Sequence, residues 1–281
     1  MFLQAAIGDA YGAGFEFADR DFIAQRNTLT QYERNPKYGS LYRRYTDDTQ
    51  MAIAIAELIL EAGPWDERSV AGKFVEVFQR DPREGYAARF YQILTEVRSG
   101  AELLERIVAK SERNGAAMRA YPIGVFPTEA EVVEKARIQA AVTHHTEKAT
   151  LGAEAVALMS HFFLRKKGKM KDLAEYVSDI LQYPWRRDWT EWVEVDPIQT
   201  VHAVLTVLTK ERSLTGMLRS AVALGGDTDT VASLALAIGS LDEDVEQDLP
   251  AWLYDDLENG PFGRDFLKDL DHRFSTSFVY L

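Results

Sequence analysis

Apolar residues along this chain recur at helical rather than alternate-residue spacing. Between Met51 and Leu60, Ile53, Ile55, Leu58 and Ile59 leave almost no polar face, the pattern of a helix buried on all sides. Segments 70–77, 90–97, 103–108, 130–142, 151–164, 173–181, 198–208, 214–224 and 231–241 carry related patterns and predict further helices. The breaks between them fall at Gly63–Pro64, Asp81–Pro82, Tyr121–Pro122, Gly168, Tyr183–Pro184, Asp196–Pro197 and Asn259–Gly260–Pro261. Period-two runs are scarce. The expectation is an all-α chain of roughly a dozen helices, forming a compact multi-helix single domain over residues 1–281. The basic run Leu164–Lys171 reads as a solvated interhelical turn, and the acidic stretch Asp242–Asp248 as a solvent-facing helix start. Trp185, Trp189 and Trp192 read as a loop packed onto the body.

Composition narrows the functional classes. Hydrophobic residues are 46% of the 281, with 14 Phe, 12 Tyr and 5 Trp, so a sizeable core is available. The chain has 32 basic and 44 acidic residues, a net charge of −12 that disfavours generic binding to nucleic-acid backbones or anionic lipid. It has no cysteine, which excludes disulfides, thiolate metal sites and cysteine nucleophiles. Any metal must be held by oxygen or imidazole. The opening residues lack a basic leading region and meet Asp9 early, and the longest apolar runs fall well short of the roughly 20 residues needed to span a bilayer. A cytoplasmic protein with no membrane partner is expected.

Two oxygen-rich segments carry the candidate chemistry. Thr46–Asp47–Asp48–Thr49 opens the helix that continues into Met51–Leu60. Helix capping needs one such residue and benefits from nearby carboxylates by about 0.3–1 kcal/mol each, but it does not call for all four. Gly225–Gly226–Asp227–Thr228–Asp229–Thr230 repeats the device ahead of Val231–Leu236. Its paired glycines permit a tight turn, and Asp227 and Asp229 can aim at one point with the Thr230 hydroxyl alongside. If the two mouths face each other, four carboxylates within about 6 Å repel by roughly 3 kcal/mol per pair at an effective dielectric of about 20. Six such pairs rival a whole domain's stability of about 5–15 kcal/mol unless protons or cations neutralise them. All-oxygen ligation suits Mg²⁺ or Mn²⁺ better than zinc.

Other motifs then fall into a recognisable order. Gly8–Asp9–Ala10–Tyr11–Gly12 with Phe15–Glu16–Phe17, the Thr46–Ala52 segment, Asn114–Arg119, Thr143–His144 and Gly225–Thr230 together resemble the signatures of the ADP-ribosylglycohydrolase family. That resemblance implies an all-α fold holding two Mg²⁺ (or Mn²⁺) ions and hydrolysing the glycosidic bond between ADP-ribose and an acceptor. Thr46, Asp47, Asp48 and Asp229 would ligate one ion; Asp227, Asp229 and Thr230 would ligate the other, with Asp229 shared. Glu16 would lie on a loop beside the scissile ribose, and Glu16, Asp47 and Asp227 are the expected catalytic carboxylates. Ser111, Asn114 and Gly115 would line the ADP-ribose cleft, His144 would lie near the ribose or diphosphate, and Gly85–Tyr86 would approach the diphosphate. The partners implied are an ADP-ribosylated substrate and free ADP-ribose. The stretch Arg80–Phe90 departs from the Asp-x-Gly-Asn pattern of members acting on ADP-ribosylated arginine.

Plainer readings stand beside these. Gly8 and Gly12 share one helix face, which close helix packing explains, Asp9 could hydrogen-bond a nearby turn, and Arg119 could pair with an acidic neighbour. A prenyl-diphosphate enzyme requires Asp-Asp-x-x-Asp, but Met51 occupies the last position; a histidine–aspartate phosphohydrolase requires an aspartate after His144–His145, and Thr146 stands there. The non-enzymatic alternative is an ADP-ribose-binding, catalytically silent structural or immunity protein of the same fold.

Overall fold

A computed structural model describes residues 1–39 and 42–278. The α-helices are α1 (Phe2–Ala13), α2 (Arg20–Arg26), α3 (Asp47–Leu60), α4 (Glu67–Arg80), α5 (Ala88–Glu96), α6 (Gly100–Arg106) and α7 (Glu129–Ala141) in the first half. They continue with α8 (Glu147–Leu164), α9 (Leu173–Leu181), α10 (Pro197–Lys210), α11 (Leu214–Leu224), α12 (Thr228–Gly239), α13 (Ala251–Asp255) and α14 (Arg264–Phe278). Short 3-10 turns lie at Asn114–Ala116, Tyr121–Val125 and Met170–Asp172. No strand occurs among the described residues; β-type pairing is limited to isolated bridges such as Val193 with Gly226. The fold is all-α.

The predicted helices form, several of them starting a turn earlier than the apolar pattern does. Polar residues supply those first turns. Thr46, Asp66, Ser99, Thr128, Thr146, Asp196 and Ser213 each accept a hydrogen bond from a backbone N–H at a helix start. The segment expected at 103–108 begins instead at Gly100 and ends at Arg106. Helix α14 escapes the pattern because only Leu267, Leu270 and Phe274 of its fifteen residues are buried, a narrow stripe on a polar helix. The stretch Asp242–Asp248 is a turn rather than a helix start; Glu243 and Asp244 pair with Lys166 and Lys169 of the basic run. Trp185 and Trp189 are buried against His202, as loop packing predicts.

At the centre, α12 is buried over its whole length and α1 over nearly all of it. The two run antiparallel at unusually short range. A Cβ added at Gly8 would lie 2.4 Å from the Ala232 carbonyl oxygen, and one at Gly12 would lie 2.5 Å from the Asp229 Cα. The packing reading of this glycine pair is the right one. The Thr228 hydroxyl donates to the Gly12 carbonyl at 2.8 Å and fixes the sliding register of the two helices. Asp271 of α14 accepts from Phe2 N (2.8 Å) and Leu3 N (3.0 Å), capping the other end of α1.

This contact generates a stability prediction. Gly8→Ala should cost about 3 kcal/mol or more, because the added methyl meets backbone that cannot rotate away. Gly72→Ala, on α4 where an added Cβ meets nothing within 4 Å, should gain about 0.5–1 kcal/mol. Urea unfolding of both variants checks the pair; equal midpoints would refute the close-packing argument.

Candidate active site

Helix α1 places the first acidic cluster. Asp9, fully buried in α1, accepts from Thr46 N at 3.0 Å through both oxygens, from Thr49 N at 3.1 Å and from Thr49 Oγ1 at 2.6 Å. It thereby satisfies N–H groups at the start of α3 that no residue within the helix can reach. Burial pushes its carboxyl up to about 6, with the Thr49 hydroxyl and neighbouring donors opposing the shift. The turn reading of Asp9 is correct, and the turn it holds is the one that carries Asp47 and Asp48.

The second cluster is placed by a three-way tie. Asp227 N donates to the Val193 carbonyl at 2.9 Å, Val193 N donates to the Gly225 carbonyl at 3.2 Å, and Phe17 N donates to the Gly226 carbonyl at 2.8 Å. Gly226 has φ +85°, and a Cβ there would meet the Val193 oxygen at 1.9 Å, so only glycine fits. Phe17 also turns through a positive φ of 49°, on the loop that follows α1. Glu16, Asp227 and Asp229 thus come together, with a carboxylate oxygen from each inside a common 4.8 Å.

The two clusters meet. Asp47 and Asp48 line the same cavity as Glu16, Asp227, Asp229 and Thr230. Burial raises Asp47, Asp48 and Asp229 well above the usual carboxylate range, and neighbouring carboxylates add to it. Burial also raises Asp227, against hydrogen bonds from Asp229, Asn114 and Thr230. Glu16 is pushed up to about 7 by burial first and then by Asp227 and Asp9. Asp48 Oδ1 is buried without a hydrogen-bond partner. Among the described residues no ion pair involves Glu16, Asp47, Asp48, Asp227 or Asp229.

These acids open into a cavity of about 410 Å³, lined also by Gly85, Tyr86, Phe90, Ser111, Asn114, Gly115, Met118, Val195 and His144. Asn114 donates through Nδ2 to Asp227 and to Thr200 Oγ1 (3.0 Å), which ties the cavity wall to the acids. Gly85, at φ +105°, lies against Asp47: an added Cβ would be 2.1 Å from Asp47 Oδ1. The Tyr86 hydroxyl donates to Gln50 Oε1 at 2.8 Å, and its ring packs on Phe78 and Phe90. Thr46 is buried as the cap of α3, its hydroxyl 3.5 Å from Asp48 Oδ2; it is not part of the cavity wall. The other predicted site residues all line that wall.

Several contributors have no motif of their own. Val193–Val195 anchors Asn114 N through the Val195 carbonyl (3.1 Å) as well as Asp227. Arg119, expected to meet an acid, instead donates to Gln139 and Thr143, and stacks on Phe74 with its Cζ 4.4 Å from the ring centre. In the stretch that departs from Asp-x-Gly-Asn, Asp81 pairs with Arg83 at 2.6 Å and stays off the cavity wall. Arg83 also pairs with Glu258 and stacks over Tyr45 at 3.7 Å, bracing the residue before Thr46. No helix among the described residues is long and apolar enough to cross a membrane.

Similarity to known proteins agrees with this architecture. The ADP-ribosylhydrolase ARH3 of Bos taurus is 26% identical over 310 residues, covering 88% of this chain and 85% of that protein. The ADP-ribosyl-[dinitrogen reductase] glycohydrolase of Rhodospirillum rubrum is 26% identical over 268 residues, covering 90% and 87%. The Xenopus tropicalis ARH3 is 30% identical over 174 residues; there the match covers 58% of this chain and about half, 49%, of that relative. A solved structure described as an ADP-ribosylglycohydrolase-related protein complex shares the fold, with a TM-score of 0.72, 21% identity, and coverage of 98% of this chain and 95% of that one. The model of the ADP-ribosylglycohydrolase family matches residues 1–278, and the chain belongs to that family.

Proposed function

We propose that this protein hydrolyses the glycosidic bond between ADP-ribose and an acceptor, releasing ADP-ribose, with two Mg²⁺ or Mn²⁺ ions held in its acidic cluster. The observation that carries the proposal is the meeting of Glu16, Asp47, Asp48, Asp227 and Asp229, from three distant segments, in one cavity where, among the described residues, none of them forms an ion pair even though Arg89, Lys110, Arg113 and Arg119 also line it. An unpartnered Asp48 oxygen in that cluster fits a cation site. The donors are all oxygen, which suits hard divalent ions. Thr46, Asp47, Asp48 and Asp229 would hold one ion and Asp227, Asp229 and Thr230 the other. Bound there, the ions supply charge neutralisation and draw electron density from the hydroxyls of the ribose beside the scissile bond.

The protein's own groups do the rest. Ser111, Asn114, Gly115 and His144 receive the nucleotide along the cavity wall, and Gly85 leaves room beside Asp47 for its close approach. Glu16 would accept a proton from the attacking water at its carboxylate, and, without bound cations, its burial raises its affinity for a proton. Asp227, steadied by Asn114, is the second proton-handling group. Relatives that act by name on ADP-ribosylarginine or on dinitrogen reductase support an ADP-ribosylated substrate.

Two outcomes test this. Purified protein should release ADP-ribose from an ADP-ribosylated acceptor only with added Mg²⁺ or Mn²⁺. Asp229→Asn should lower kcat about 10²–10³-fold, and Glu16→Gln about 10²–10⁴-fold. ADP-ribose binding without release would instead mark a silent binding protein, and full activity of Asp229→Asn would remove the shared-ligand role. The second outcome concerns stability with cations chelated. Carboxyls whose folded pKa is raised, Asp9 to about 6 and Glu16 to about 7, bind protons more tightly when folded than when unfolded. Their contribution is intact below about pH 4 and is lost as pH rises toward 7. The chelated protein should therefore melt at a lower temperature at pH 8 than at pH 5.5, and added Mg²⁺ should raise Tm more at pH 8. A chelated Tm that rises with pH over this range would refute the account.

A further inference from the structure

His144 stands in a short relay that the acidic cluster does not use. Arg119 is 1% exposed and has only donors, so its Nη2–H bonded to Thr143 Oγ1 at 2.8 Å makes that oxygen an acceptor. The same Thr143 oxygen lies 2.6 Å from His144 Nδ1. Thr143 is buried, and its hydroxyl proton has no other acceptor among the described residues. Were Nδ1 protonated, the hydroxyl would accept twice and its own proton would have no protein acceptor, only the cavity that Thr143 also lines. The hydroxyl therefore donates to Nδ1, and the imidazole carries its proton on Nε2. Nε2 has no partner among the described residues, and His144 lines the cavity. Gly115 makes room for that edge of the ring: a Cβ there would be 2.8 Å from Cε1 and 2.9 Å from Nε2.

We infer that Arg119 and Thr143 are positioning residues that lock His144 as a neutral imidazole presenting an Nε2–H donor to an acceptor oxygen of the bound nucleotide. Arg119 is itself held rigidly, with Nε on Gln139 Oε1 at 2.6 Å and Nη2 on the Gln139 carbonyl at 3.0 Å, while Gln139 Nε2 donates to the Ala116 carbonyl at 2.9 Å. That last bond ties the relay to the 3-10 turn carrying Asn114 and Gly115. Burial first, and then the two cations acting on the ring, Arg119 and Arg113, hold the imidazole down at about 3. Nδ1 is thus committed to the protein and Nε2 to the ligand. A neutral donor recognises a phosphate or hydroxyl oxygen without a protonation step, so ADP-ribose affinity carries no histidine titration between pH 5 and 8. The choice of nucleotide as ligand rests on the hydrolase reading; the tautomer does not.

Long-range ¹H–¹⁵N correlation spectra of the full-length protein, with the His144 signals assigned by their loss in His144→Gln, read the tautomer directly. The expected result is a protonated Nε2 and a bare Nδ1 at pH 7, unchanged at pH 5. Thr143→Val keeps the shape and removes the hydroxyl. It should let both tautomers appear, weaken ADP-ribose binding by calorimetry about 3–10-fold, and raise KM by the same factor with little change in kcat. Thr143→Ser should restore the wild-type signature, a rescue that a purely structural role would not give. An Nδ1-protonated ring or an imidazolium at pH 7, or a Thr143→Val protein with an unaltered signature, would overturn the inference. A locked tautomer in a protein that releases no ADP-ribose would fault the hydrolase reading alone, and active enzyme with a charged His144 would do the reverse.

Discussion

Asp9 is a charged group with no charged partner, sealed inside the first helix and bound only to the N-terminal turn of α3. Around that contact the rest of the site is arranged. A carboxylate in the core is costly unless donors surround it, and the Thr46 and Thr49 N–H groups and the Thr49 hydroxyl supply them. The exchange is mutual, because those N–H groups are orphans of a helix start. The same helix, one residue before Asp9 and three after it, presents Gly8 and Gly12 to α12. One rigid element therefore sets both acidic mouths in register and then, four residues past Gly12, delivers Glu16 between them.

The resulting site concentrates unfavourable energy. Five acids crowd into one cavity wall, and burial drives their pKa values upward. Such crowding persists only where the scaffold over-determines it, and the scaffold here is the most buried part of the molecule. The positive ends of α3 and α12 both point at the acids and soften their repulsion without cancelling it. The remainder is what the proposed cations would relieve.

Opposite the acids, the cavity wall follows a different logic. Its neutral donors are held by a buried network from Arg119 through Thr143 to His144, and from Gln139 to the Asn114 turn, and Arg89, Lys110, Arg113 and Arg119 line the same wall. Arg83 plays a comparable bracing part beneath Tyr45, linking Asp81 and Glu258 to the residue before Thr46. Both Arg83 and Arg119 are buried and neither forms an ion pair with the five cavity acids, so these two cations brace the walls.

The sequence by itself determined the helical class, most helix positions and the oxygen-rich residues of the site, because these are local signals. Helical spacing is written within a turn, and Thr46–Asp48 and Asp227–Thr230 are contiguous, each opening a buried helix. It missed the short α2 and α13, each with one buried residue, and α14, whose apolar stripe is three residues long, and misread Asp242–Asp248, whose charges find basic partners across a turn rather than a helix. The tertiary structure alone decided that the two mouths meet, that Gly8 and Gly12 serve α12, and that Arg119 reaches Gln139 and Thr143 instead of an acid. Those outcomes depend on contacts between residues tens to hundreds of positions apart, such as Asp9 with Thr46 or Gly12 with Thr228. Such pairs leave no periodicity in the chain, since nothing about either residue type names its partner until packing brings the two together.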